Sequence, residues 1–70
     1  MSYTVRFATD LRQPAQCIEL ASEDQAIAEA KRLAREGVAN HAWAALRLAD
    51  GLTFLAMNVN GEVEATRLAN

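Results

Sequence analysis

The chain reads as an α+β protein: one helix packed on a five-stranded, mostly antiparallel sheet in a two-layer sandwich. Three observations predict it. Residues 3–8 and 16–20 alternate between apolar and polar, as half-buried strands do. Residues 22–37 carry apolar side chains at helical spacing between a Ser and a Gly. Asp50-Gly51 and Asn60-Gly61 stand ten residues apart between apolar runs, and each dipeptide is a strong signal for a two-residue hairpin turn.

In the first strand Tyr3, Val5 and Phe7 share one face, while Thr4 and Arg6 take the other. A polar loop with Pro14 follows. The second strand, Gln16 to Leu20, turns Ile18 and Leu20 inward and Cys17 outward. Ser22 then opens a helix: Gln25 stands at capping-box spacing, and Glu23 and Asp24 lie in the first turn, where the helix dipole favours carboxylates. Ala26, Ile27, Ala30, Leu33 and Ala34 fall on one stripe. The row Ala26, Ala30 and Ala34 lets the helix lie close to a sheet, and Gly37 marks its end.

The third strand spans Trp43 to Ala49, the fourth Leu52 to Val59 and the fifth Glu62 to Leu68. Two-residue loops at both Gly dipeptides fix the register, and register fixes which side chains share a face. Ala49 then opposes Leu52, Arg47 opposes Phe54, Leu46 opposes Leu55 and Phe54 opposes Arg67. One face carries Ala44, Leu46, Leu48, Leu55, Met57 and Val59 and meets the helix, with Glu62 and Glu64 at its margin, where charge discourages edge pairing. The other carries Trp43, Ala45, Arg47, Phe54, Ala56, Asn58, Val63, Ala65 and Arg67, with no second helix to cover them.

The element order is β-β-α-β-β-β. A helical crossover around the first strand gives the sheet order 2-1-3-4-5; direct pairing of the second and third strands in a mixed sheet is the competing arrangement. The expected core is Val5, Phe7, Ile18, Leu20, Leu46, Leu48 and Leu55. Residues 1–70 make one small domain, and a chain of this size buries only about 60% of its unfolded surface, so self-association is a natural source of added stability.

Composition limits the function classes. A net charge of −2 exerts no global pull on nucleic acid or anionic lipid. No stretch reaches the ~20 apolar residues of a membrane span. The opening residues MSYTVRF alternate and lack the apolar run of a signal peptide, and the single Cys17 forms no disulfide within the chain, so a cytoplasmic location is expected. One Cys and one His offer little to a metal, and no phosphate loop, nucleophile elbow or zinc motif is present. The expectation is no cofactor, no metal, no small-molecule ligand and no enzymatic activity. His41 reads as an exposed structural histidine, and Asp10 and Asp50 as turn residues.

The functional residues expected are Trp43, Arg47, Phe54 and Arg67 on the uncovered face, with the two guanidinium groups flanking the Phe54 ring. Aromatic and Arg side chains set among small alanines suit a homodimer or another protein partner. Single-stranded RNA is the other candidate, its bases stacked on Trp43 and Phe54 and its phosphates met by Arg6, Arg47 and Arg67. The element order, with an Ala-rich helix from Ser22 to Ala30, resembles small bacterial β-β-α-β-β domains of unassigned function and is also similar to the small sheet-and-helix antitoxins that neutralise RNA-cleaving toxins. That resemblance assigns no residue a role.

Overall fold

The structure is a computed structural model that describes residues 2–69. Its elements are β1 (Tyr3–Ala8), β2 (Gln16–Leu20), α1 (Glu23–Glu36), β3 (Trp43–Arg47), β4 (Thr53–Val59) and β5 (Glu62–Leu68). They form the expected α+β sandwich: one antiparallel sheet in the order β2-β1-β3-β4-β5, with α1 on one face. The helix carries the chain from β2 over β1 to β3. Val5 therefore sits between Ile18 on one side and Leu46 on the other.

The helix begins as its sequence dictates. Ser22 is extended, and its Oγ accepts a hydrogen bond from the Gln25 N–H at 3.2 Å. Ala26, Ala30 and Ala34 are fully buried, so the methyl row lies directly on the sheet. On the solvent side Arg32 donates to Glu29 and Glu36 along one helix face. Gly37 ends the helix in an extended conformation, not a left-handed one. Its need for glycine is spatial, because an added Cβ would meet the Ala42 Cβ at 2.3 Å and the Thr9 carbonyl oxygen at 2.9 Å.

The two Gly dipeptides form different turns. At Asn60-Gly61 both residues have positive φ, 56° and 89°, and Val59 opposes Glu62. This is the expected two-residue turn. At Asp50-Gly51 only Gly51 has positive φ, 88°. The Gly51 N–H donates to the Leu48 carbonyl at 3.0 Å, and the Leu48 N–H donates to the Leu52 carbonyl at 2.8 Å. The loop therefore has three residues, Ala49, Asp50 and Gly51, and forms a turn followed by a glycine bulge.

One extra loop residue shifts the β3–β4 register by one. Leu46 opposes Phe54, and Arg47 opposes Thr53. Every β4 and β5 side chain consequently lies on the face opposite to the expected one. Phe54, Ala56 and Asn58 turn toward the helix, whereas Leu55, Met57 and Val59 turn away. Phe54 takes the core place expected of Leu55, packed with Val5, Phe7, Ala44, Leu46 and Leu48 beneath the alanine row. Ile18 and Leu20 are half-buried at the margin of that core, as is Val63 of β5.

The core and the helix end select this register. The largest apolar ring of β4 lies over the small helix residues, where it fills the most space. Asn58, 4% exposed, donates from Nδ2 to the carbonyls of Ala34 at 2.9 Å and Arg35 at 3.3 Å. Those are carbonyls of the last helical turn, which have no partner within the helix. Its Oδ1 accepts the Gly61 N–H at 2.9 Å. Asn58 thus joins the end of α1 to the second hairpin and has its own polar atoms satisfied.

Candidate functional site: the outer face of the sheet

The face turned away from the helix is built in rows, because residues opposite one another across antiparallel strands project to the same side. Thr4, Arg47, Thr53 and Leu68 form one row, with Glu19 at its β2 end. Cys17, Arg6, Ala45, Leu55 and Thr66 form the next. Ala8, Trp43, Met57 and Glu64 form the third. Val59 and Glu62 close the face at the Asn60-Gly61 turn.

Its centre is apolar and its flanks are charged. Trp43, Ala45 and Leu55 are half-buried; Met57 is 42% and Leu68 45% exposed. Arg6 and Arg47 lie on the β1 and β3 side, and Glu62 and Glu64 lie on β5. Two shallow hollows divide the surface. One, of about 310 Å³, is bordered by Thr4, Arg6, Ala45, Arg47 and Thr53. The other, of about 190 Å³, lies between β4 and β5 against Leu55, Met57, Glu64, Thr66 and Leu68. A larger open groove of about 420 Å³ runs along the helix flank beside Leu20, Gln25, Ala28, Glu29 and Arg32.

Two of the four expected site residues are on this outer face, and two are not. Trp43 and Arg47 are there. Phe54 is a core residue, 5% exposed, and Arg67 opposes it on the helix side of the sheet. The expected pair of guanidinium groups around the Phe54 ring is not formed. The cation that stands over that ring is Lys31 of the helix, with Nζ 6.0 Å from its centroid. The one-residue register shift that buries Phe54 brings Leu55 and Met57 onto the outer face. The signal that points to them is Asn58: turned outward it caps nothing, whereas turned inward it meets the open carbonyls of α1.

A second polar cluster ties two loops together. The Asp10 carboxylate accepts the backbone N–H of Arg12 at 3.1 Å and its guanidinium at 2.8 Å. The His41 Nδ1 lies 3.3 Å from Asp10 Oδ1, across 31 residues of sequence. The Arg12 side chain, then its backbone N–H and then His41 hold the Asp10 carboxyl well below the usual carboxylate range. Asp10 is thus a turn residue as expected, and His41 is fastened to it rather than standing free. Among the described residues no group of three His, Cys, Asp or Glu side chains converges as a metal site does, and no helix is long and apolar enough to cross a membrane.

Compared with protein-family models, curated proteins and solved structures, the chain shows no match.

Proposed function

We propose that this chain is a protein-interaction module that docks its partner on the outer face of its sheet. The observation that carries the reading is the apolar centre of that face. Trp43, Leu55, Met57 and Leu68 are contiguous there, set around Ala45 and bordered by Arg6, Arg47 and Glu64. An aromatic anchor and aliphatic side chains inside a charged rim have the anatomy of a protein–protein contact. A single-stranded RNA platform on the same face has less support. Phe54 lies in the core, which leaves Trp43 as the stacking ring, and Glu62 and Glu64 repel phosphate along β5.

Affinity purification of the tagged chain from its native cells tests the reading. A companion protein held by the wild type is expected to be lost from Met57→Glu and kept by Lys31→Glu on the helix face. A companion retained equally by both variants would place the contact elsewhere on the molecule.

A further inference from the structure

We propose that the occupant of the outer face is a second copy of this chain, packed sheet on sheet about a two-fold axis that runs along the strands between β3 and β4. This deepens the reading above and rests on it.

A two-fold contact requires a surface complementary to itself. The outer face has that property in one orientation. Its basic groups, Arg6 on β1 and Arg47 on β3, lie on one side of the β3–β4 boundary. The acidic groups of β5, Glu62 and Glu64, lie on the other side. An axis along the strands at that boundary exchanges the two sides: β1 of one copy lies over β5 of the other, and β3 lies over β4. Arg6 then stands above Thr66 of the second copy, with Glu64 of that copy one row away, about 7 Å along the strand and within reach of an Arg side chain. Trp43, Ala45, Leu55 and Met57 meet at the centre. Each hollow bordered by Arg6 and Arg47 faces the hollow bordered by Glu64.

The other face-to-face orientation fails on charge. An axis across the strands lays every strand antiparallel over its own copy, so that the basic strands β1 and β3 meet themselves, the acidic strand β5 meets itself, and no strand with basic groups faces the acidic one. Moving the strand-parallel axis to β3 sets β2 over β5 and β1 over β4, which covers the outward Glu19 with Leu68 and moves Arg6 off the acidic strand onto Leu55. At the β3–β4 boundary β2 overhangs, and Glu19 stays in water.

The size of the contact sets its strength. Four overlapping strands about 4.8 Å apart and about 20 Å long give a projected area of about 400 Å² per copy. Side-chain relief raises the accessible area above that figure, yet it stays below the ~800 Å² per partner of a standard interface. The dimer is therefore of the weak, transient class. A net charge of −2 per copy adds little repulsion.

The experiment combines photocrosslinking with a distance measurement. Met57, already 42% exposed, is replaced by the photoreactive residue p-benzoylphenylalanine, and the chain is irradiated in its native cells. The same substitution at Leu11, an exposed loop residue, is the control. The expected product from position 57, and not from position 11, is a covalent pair of this chain. The exposed Cys17 is then spin-labelled on the otherwise unchanged protein at a concentration above about 100 μM. Five strand spacings and a sheet separation of ~10 Å place the two Cys17 backbones about 26 Å apart, against about 10–17 Å for an axis across the strands. Arg6→Glu is expected to weaken the dimer about tenfold, and Glu64→Arg in the same chain to restore it.

A crosslink to a protein of another mass would overturn the second copy as occupant and leave the docking face standing. No crosslink from position 57, either in cells or in the purified chain above about 100 μM, would remove both. A dimer with the short Cys17 separation, or one indifferent to the Arg6 and Glu64 exchange, would overturn the proposed axis.

Discussion

The two Gly hairpins at the C-terminal end of the sheet share a sequence signal and differ in what sets their register. At Asn60-Gly61 the turn decides: both residues take positive φ, and Asn40 holds the tip, its Oδ1 accepting the Asn60 N–H at 2.8 Å. At Asp50-Gly51 the core decides. Asp50 keeps an ordinary backbone, and the loop takes in Ala49, whose N–H is held by Glu23 of the helix at 2.9 Å. A turn dipeptide therefore locates a hairpin without fixing its loop length. The difference is one residue, and it changes which side chains of two strands meet water.

The largest test of this contrast is a pair of alanine substitutions at adjacent residues. Phe54→Ala is expected to cost about 3–5 kcal/mol in chemical denaturation, because it opens a cavity beneath the alanine row. Leu55→Ala is expected to cost about 1 kcal/mol or less in the monomer, since its side chain lies on the outer face. A domain of this size holds on the order of 4–10 kcal/mol in total, so the first variant is expected to be largely unfolded at room temperature or close to it. The register with Leu55 inward predicts the reverse order.

The parts of the fold legible in the sequence are those written in local chemistry. Period-two alternation located β1 and β2, Ser22 and the alanine row located α1, and the crossover rule ordered the strands. The candidate face was half legible. Trp43 and Arg47 lie on β3, whose facing follows from its pairing with β1, and they stand where the sequence placed them. Phe54 and Arg67 lie beyond the Asp50-Gly51 loop, and a one-residue error there exchanges both faces of everything downstream. Choosing between loop lengths requires knowing that the end of α1 offers two carbonyls to Asn58, a contact across 24 residues. The link between Asp10 and His41 is hidden for the same reason.

Asn58→Ala carries the second-largest expected effect. It leaves the Ala34 and Arg35 carbonyls and the Gly61 N–H without their side-chain partner, at an expected cost of about 2 kcal/mol. Hydrogen exchange is expected to speed up both in the last turn of α1 and at the Asn60-Gly61 tip. Faster exchange at only one of these sites would separate two regions that the Asn58 contacts join.

A third comparison sets the turn residues themselves against each other. Asn60→Ala forces an alanine into positive φ and removes the Oδ1 that accepts from Asn40 Nδ2, while the backbone N–H that donates to Asn40 remains, for an expected loss of about 1.5–2 kcal/mol. Asp50→Ala meets no such strain. It loses the carboxylate that accepts the Leu52 N–H at 3.0 Å, an exposed contact expected to contribute about 0.5 kcal/mol. Equal costs in thermal unfolding would mean that both loops are two-residue turns with positive φ at both positions.

A small change is also expected from the most drastic edit, deletion of Ala49. In the full chain a two-residue Asp50-Gly51 loop opposes Ala49 to Leu52 and turns Leu55 inward, so turn preference and core burial conflict. Removing Ala49 ends the conflict: the same two-residue loop then opposes Leu48 to Leu52 and keeps Leu46 opposite Phe54. The variant loses the hydrogen bond to Glu23 and gains a shorter loop whose twist matches that of the strands. Its stability is expected to lie within about 1 kcal/mol of the wild type, a small effect for the loss of a residue between two core strands. Nuclear Overhauser contacts between Leu46 and Phe54 are the decisive observation. If they persist, core burial and turn preference agree once Ala49 is gone, as removal of the conflict requires. If Leu55 replaces Phe54 in those contacts, the chain has kept a three-residue loop against the core, and the outer face belongs to a different set of side chains.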